Sequence, residues 1–163
     1  MTLLLLCALG TFPAAAEDQV DPKSLPISSA TTPAEPGPFS VKFDPFIVVP
    51  AGKTVDVRFT LTVPAHTKIY KDQVSVEVLD AAGMTVGTVE LPAGESFEDP
   101  YGGGLREAYA VDTQFALPLV APSRKAGRVD MSVRVSWQGC GDGMCYMPSS
   151  RTFNVPIRVT KGS

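Results

Sequence analysis

The chain has 163 residues, with 14 Lys and Arg against 17 Asp and Glu, a formal net charge of −3 at pH 7. That length suits one domain with flanking segments, and the lack of a basic run argues against nucleic acid as a partner. Pro (15) and Gly (14) are both abundant, which favours a turn-rich all-β domain over a helical bundle.

The start, MTLLLLCALGTFPAAAEDQ, reads as a secretory signal over residues 1–16. Leu3 to Leu9 form an apolar run too short to span a bilayer, and Ala14 to Ala16 put small residues before Glu17. A basic n-region is missing, and Leu6 before Cys7 is a poor fit to a lipoprotein signal. No later segment is apolar enough to cross a membrane, so the processed protein is not expected to span one. It is expected in an exported compartment that permits disulfides. Cleavage removes Cys7 and leaves two cysteines, which can pair with each other, with a partner protein or with a metal. Residues 17–38, rich in Pro, Ser, Thr and acids, read as a disordered leader. The folded domain is expected over residues 39–160.

From there the chain alternates apolar and polar residues. TVDVRFTLTV aligns Val55, Val57, Phe59, Leu61 and Val63 on one face. VSVEVLD, RVDMSVRVSW and TFNVPIRV repeat the pattern, and shorter candidates lie at Phe46–Val49, Val86–Leu91 and Ala110–Leu119. Pro- and Gly-containing breakers separate them, and no segment holds a helical period over three turns. Such short strands predict an immunoglobulin-like β-sandwich of about seven to nine strands.

The last two strong strands bracket SWQGCGDGMCYMP, so the connection Gln138 to Arg151 holds Cys140 and Cys145. A disulfide needs Cα atoms about 4.4–6.8 Å apart. A segment bent by Gly139, Gly141 and Gly143 can meet that, because glycine accepts positive φ. Three readings stay open. A structural staple is one, although closing so short a loop removes little entropy from the unfolded chain. A redox pair is the second, with one attacking and one resolving sulfur, although the spacing is not C-x-x-C and no thioredoxin-like βαβ pattern surrounds it. The third is a Cu(I) site of Cys140, Met144, Cys145 and Met147, since thiolate and thioether ligands select that ion. Loop methionines more commonly pack on neighbours, and His66, the single histidine, lies far away in sequence.

The motif Trp137-Gln138-Gly139-Cys140, then Asp142, then Cys145-Tyr146-Met147-Pro148 resembles the N-terminal domain of the thiol:disulfide interchange protein DsbD. Upstream, IYKDQVSV (Ile69–Val76) and LPAGESFEDPYGGGLREAYAVDTQFALPL (Leu91–Leu119) are similar to that family in the same order, so the likeness covers about Phe39 to Val159. The resemblance implies an immunoglobulin-like domain in the periplasm, acting in thiol–disulfide exchange without a cofactor. It would take electrons from a membrane-embedded thiol reductase. It would pass them to thioredoxin-like proteins, including those of cytochrome c biogenesis, or to disulfide isomerases. Cys145 matches the partner-bonding cysteine and Cys140 the resolving one. Phe97 to Gly103 matches a cap loop, with Glu98 and Asp99 as its acidic pair and Tyr101 and Gly102 as its Tyr-Gly; Tyr70 and Tyr146 match tyrosines at the site. Two departures stand out. The loop between the cysteines is one residue shorter than the family's usual form, and Pro100 stands where a phenylalanine is usual, leaving Phe97 to substitute. The signal-like start and short tail fit a stand-alone version, a fragment being the other reading.

Overall fold

Alternation decides the architecture. The computed structural model describes residues 37–100, 104–123 and 126–162. The expected signal and all but the last two residues of the expected leader lie outside them. So do Tyr101 and Gly102 of the expected cap loop. Among the described residues there are thirteen strand segments and one 3-10 turn.

The first sheet orders β1 (Ser40–Phe43), β3 (Thr54–Thr62), β9 (Thr113–Val120) and β6 (Thr85–Val86). The second orders β2 (Ile47–Pro50), β13 (Ser149–Thr160), β10 (Gly127–Trp137) and β5 (Ser75–Asp80). Their inner faces meet in one apolar core. Val57, Phe59 and Leu61 of β3 and Phe115, Leu117 and Leu119 of β9 come from one layer. Met131, Val133 and Val135 of β10 and Val155, Ile157 and Val159 of β13 come from the other. Those of β3, β10 and β13 are residues that the period-2 pattern assigned to buried faces, and the all-β, immunoglobulin-like sandwich is the observed fold.

The third sheet orders β12 (Met144–Cys145), β11 (Gly139–Gly141), β4 (Thr67–Tyr70), β8 (Gly104–Tyr109) and β7 (Glu95–Asp99). It grows from the ends of the sandwich strands. The chain leaves β3 of the first sheet to form β4, and leaves β10 of the second through Gln138 to form β11. The Tyr70 N–H donates to the Gln138 carbonyl at 3.0 Å, which fixes that crossing. β10 and β13 are locked in register from Gly127↔Val159 to Trp137↔Ser149. The end of β10 therefore holds the cysteine segment in a set place.

Two expectations change in detail. The segment Val86–Leu91 keeps only β6 and an isolated bridge, Glu90↔Ala116. Its partner strand carries Pro118, which accepts from the Gly87 N–H at 2.8 Å but has no N–H to return, so the ladder stops there. The connection before β13 is also not an open loop. It folds into the β11–β12 hairpin.

Candidate redox site

Asp142 and Gly143 make the two-residue turn of that hairpin, with φ of 50° and 77°. Left-handed geometry at both positions is what a type I′ hairpin turn demands, and Asp-Gly supplies it. The ladder then pairs Gly141 with Met144 and Cys140 with Cys145. The next bond, Tyr146 N–H to the Gly139 carbonyl at 2.9 Å, closes the far side. Cys140 and Cys145 thus occupy a non-hydrogen-bonded cross-strand pair, the position of closest approach. Their Cα atoms are 3.9 Å apart, closer than the expected range, and their sulfurs are bonded. Of the three glycines expected to bend this segment by positive φ, only Gly143 has one. Gly139 acts through its lack of a side chain instead. A Cβ there would meet the Lys68 carbonyl oxygen at 2.6 Å as well as the Phe39 ring. β11 could not then lie against β4.

Register places the remaining groups. Cys140 faces Lys68 across β11–β4, and Tyr70 faces Ala108 across β4–β8. Phe97 faces Arg106 across β7–β8. Because side chains alternate, Cys145, Cys140, Lys68, Tyr70, Arg106, Phe97 and Asp99 share one face of the third sheet. The other face sends Ile69 and Tyr109 into the core. β8 pairs with β4 only through its last two residues, so the distal half of the β7–β8 hairpin can bend over the site face.

It does so through a column of rings and cations. The Lys68 ammonium lies 4.2 Å from the Phe97 centroid, and Phe97 stacks on Tyr70 with centroids 5.8 Å apart. The Arg106 guanidinium lies 3.9 Å from the Tyr70 centroid. Phe97 is therefore lodged between Lys68 and Tyr70, the two β4 side chains nearest Cys140. The Tyr70 hydroxyl lies 3.2 Å from Cys140 Sγ, 3.9 Å from Cys145 Sγ and 3.2 Å from Asp99 Oδ1. A disulfide carries no proton, so the tyrosine is the donor in any contact with sulfur here.

The two cysteines differ in exposure. Cys140 is only 6 % exposed, whereas Cys145 belongs to the exposed tip with Met144 and Met147. Asp99 has a side chain 4 % exposed, balanced by Arg106 Nη1, which donates to its Oδ2 at 3.3 Å. Arg106 Nη2 also donates to both oxygens of Asp72, at 2.7 Å each. That pairing, chiefly by its hydrogen bonds, holds the Asp72 carboxyl below the usual carboxylate range and raises Arg106.

The expected site residues thus separate. Cys140, Cys145, Tyr70, Phe97 and Asp99 come together. Glu98 projects to the opposite, exposed face of β7, beside Leu105, and Pro100, which follows β7, is exposed. Tyr146 turns away from the sulfurs and packs edge-on against Phe39, with centroids 5.5 Å apart. The four-residue copper set lacks two of its ligands in this state, because the cysteine sulfurs are bonded to each other. Met144 and Met147 are 58 % and 66 % exposed. Sequence reasoning missed Arg106, Asp72 and Lys68. The alternation Leu105-Arg106-Glu107 was the available signal, since it puts one charge on each side of a strand. A groove of about 850 Å³ lies away from the sulfurs, lined by Phe46, Val48, Arg128 and Arg158 among others. Cys145 lies at the exposed tip of its hairpin, which suits a protein partner better than a small molecule.

These features define a class: an immunoglobulin-like sandwich that presents a half-buried, half-exposed cysteine pair at one edge. The chain belongs to the family described as thiol:disulfide interchange protein DsbD, N-terminal, which matches residues 38–157. Among curated relatives, DsbD of Pectobacterium atrosepticum is 36 % identical over 90 residues, 55 % of this chain and 14 % of the relative. DsbD 1 of Pseudomonas aeruginosa is 32 % identical over 88 residues, 53 % of this chain and 14 % of the relative. This chain therefore matches only a small part of those relatives' length. Two solved structures from Neisseria meningitidis share the fold. The reduced DsbD N-terminal domain has a TM-score of 0.51 at 20 % identity, covering 66 % of this chain and 82 % of that one. The DsbD N-terminal domain in complex with the PilB N-terminal domain has a TM-score of 0.53 at 18 % identity, covering 85 % and 88 %.

Proposed function

We propose that this chain is a periplasmic thiol–disulfide exchange domain. It accepts two electrons from a membrane-embedded thiol reductase and delivers them to an oxidised thioredoxin-like or disulfide-isomerase partner. The observation that carries this reading is the asymmetry of the pair: Cys145 is exposed, and Cys140 is buried against the Tyr70 hydroxyl. In the reduced domain the Cys145 thiolate attacks one sulfur of the partner disulfide. A mixed disulfide forms and one partner thiolate leaves. The Cys140 thiolate then attacks Cys145 Sγ, the Cys140–Cys145 bond forms, and the second partner thiolate leaves. The two protons given up by the domain's thiols match the two taken up by the partner's thiolates. Tyr70 and Asp99 form a hydrogen-bonded route for the Cys140 proton. The Neisseria complex supports the reading, because there this fold docks a second protein domain. Export follows from the signal read over residues 1–16. Among the described residues, no helix is long and apolar enough to cross a membrane.

The test is trapping. Reduced Cys140→Ala, which keeps the attacking sulfur and lacks the resolving one, should accumulate a mixed disulfide with an oxidised thioredoxin-like protein. Cys145→Ala should not. Accumulation with Cys145→Ala alone would reverse the two roles, and accumulation with neither would leave a structural staple.

A further inference from the structure

We propose that Arg106 is a positioning residue, an ionic latch that holds the β7–β8 hairpin closed over the cysteine pair. The proposal rests on the redox reading of the site and names its regulation. Three separate contacts converge on this side chain. Its guanidinium lies over the Tyr70 ring, at 3.9 Å from the ring centroid. It donates to Asp99, the buried carboxylate within reach of the Tyr70 hydroxyl. It also grips Asp72 through both carboxylate oxygens. Asp72 belongs to the 3-10 turn Lys71–Gln73, which directly follows Tyr70 on the chain. Arg106 therefore ties its own strand, β8, to the segment that carries Tyr70, while its Asp99 contact ties in β7.

The hairpin needs such a tie. Among the described residues, β8 joins β4 only at Tyr109 and Ala108, and β7 pairs with β8 alone. Beyond Ala108 the backbone ladder does nothing to hold the hairpin down. Besides the Arg106 contacts, the ring column, the Tyr70 hydroxyl bond to Asp99 and a pair between Lys71 and Glu107 span that gap. The Asp72 side chain is 60 % exposed and Arg106 23 %, so the outer end of the latch faces solvent and is screened by salt. A partner that brings a carboxylate to Arg106, or a cation to Asp72, would compete with this bond. Release lets Phe97 leave Tyr70 and takes Asp99 from the tyrosine hydroxyl. Docking and uncovering of Cys140 become one event.

Two measurements test the latch, using the whole chain. Amide hydrogen exchange is followed on the disulfide-bonded protein and on Arg106→Gln, Asp72→Asn and Arg106→Lys. Oxidation of each reduced form by glutathione disulfide is timed at low and high ionic strength. Arg106→Gln, which loses the forked ion pair and the cation–π contact, should raise exchange about tenfold over residues 95–109, and Asp72→Asn, which loses the ion pair alone, about threefold to fivefold. The β10–β13 ladder should be unchanged. Both variants should also speed oxidation and reduce its salt dependence, and Arg106→Lys should fall between them and the parent. Unchanged exchange over residues 95–109 overturns the latch. So does faster exchange spread equally through β10 and β13, which marks general loosening. If the parent dithiol does not react with glutathione disulfide at all, the redox reading fails, and the exchange data alone judge the latch.

Discussion

At the scale of single residues, the proposed exchange chemistry turns on one hydroxyl proton at Tyr70. Asp99 Oδ1 and Cys140 Sγ both lie 3.2 Å from that oxygen. A carboxylate is a far stronger acceptor than a disulfide sulfur, so in the oxidised domain the proton points to Asp99. Reduction gives Cys140 a proton of its own. The thiol can then donate to the tyrosine oxygen while the tyrosine still donates to the carboxylate. The chain Cys140–Tyr70–Asp99 becomes continuous only when it is needed. Tyr70→Phe keeps the ring column and removes the hydroxyl. It should slow resolution of the mixed disulfide at neutral pH by about an order of magnitude, within the range that positioned proton-transfer groups contribute. Stability should change by no more than about 1 kcal/mol, the net value of one hydrogen bond. Stopped-flow mixing with a preformed mixed disulfide checks the rate. An unchanged rate would remove Tyr70 from the chemistry.

At the scale of elements, two hairpins meet at the site, and they are held in different ways. β11–β12 is fixed by its Asp-Gly turn, its disulfide and the close fit of Gly139 on β4. β7–β8 is held by side chains, including two ion pairs to the 3-10 turn, Arg106–Asp72 and Lys71–Glu107. Hydrogen bonding to Arg106 holds the Asp72 carboxyl below its ordinary range, and hydrogen bonding to Lys71 does the same for Glu107. A carboxyl depressed in the folded state stabilises it above the unfolded pKa, and that contribution is lost as pH falls through the folded value. Hairpin closure should therefore be intact at neutral pH and weaken below about pH 4. Both carboxylates are solvent-accessible, so the Asp72 share is under about 1 kcal/mol. Hydrogen exchange at acid pH, corrected for intrinsic rates, should show residues 95–109 opening while β10 and β13 stay protected. Uniform loss of protection would contradict this order.

Legibility in the sequence follows the same division. Long strands with a fully buried face were readable because every second residue is apolar. The short strands of the third sheet were not, because they are held by glycine contact, ion pairs and aromatic stacking, which leave no period. The cysteine hairpin carried a readable signal in Asp142-Gly143, flanked by one residue and then a cysteine on each side. The acidic pair Glu98-Asp99 looked like one unit in sequence, but strand alternation sends only Asp99 to the site. Arg106 and Asp72 are 34 positions apart, and only the fold joins them.

At the scale of the whole molecule, the sandwich acts as a rigid mount. Core side chains such as Val133, Ile157 and Leu61 have no exposed surface, and the continuous β10–β13 ladder carries that rigidity to Trp137, three residues before Cys140. A domain with such a core does not depend on a six-residue loop closure for stability, so the disulfide is available for chemistry. The reduction potential of the Cys140–Cys145 pair tests this most directly. It is measured on the whole chain by equilibration against dithiol and glutathione buffers. A value between about −270 and −180 mV, the range of thioredoxin and isomerase pairs, is predicted. A value below about −300 mV would mark an inert structural bridge and contradict the account.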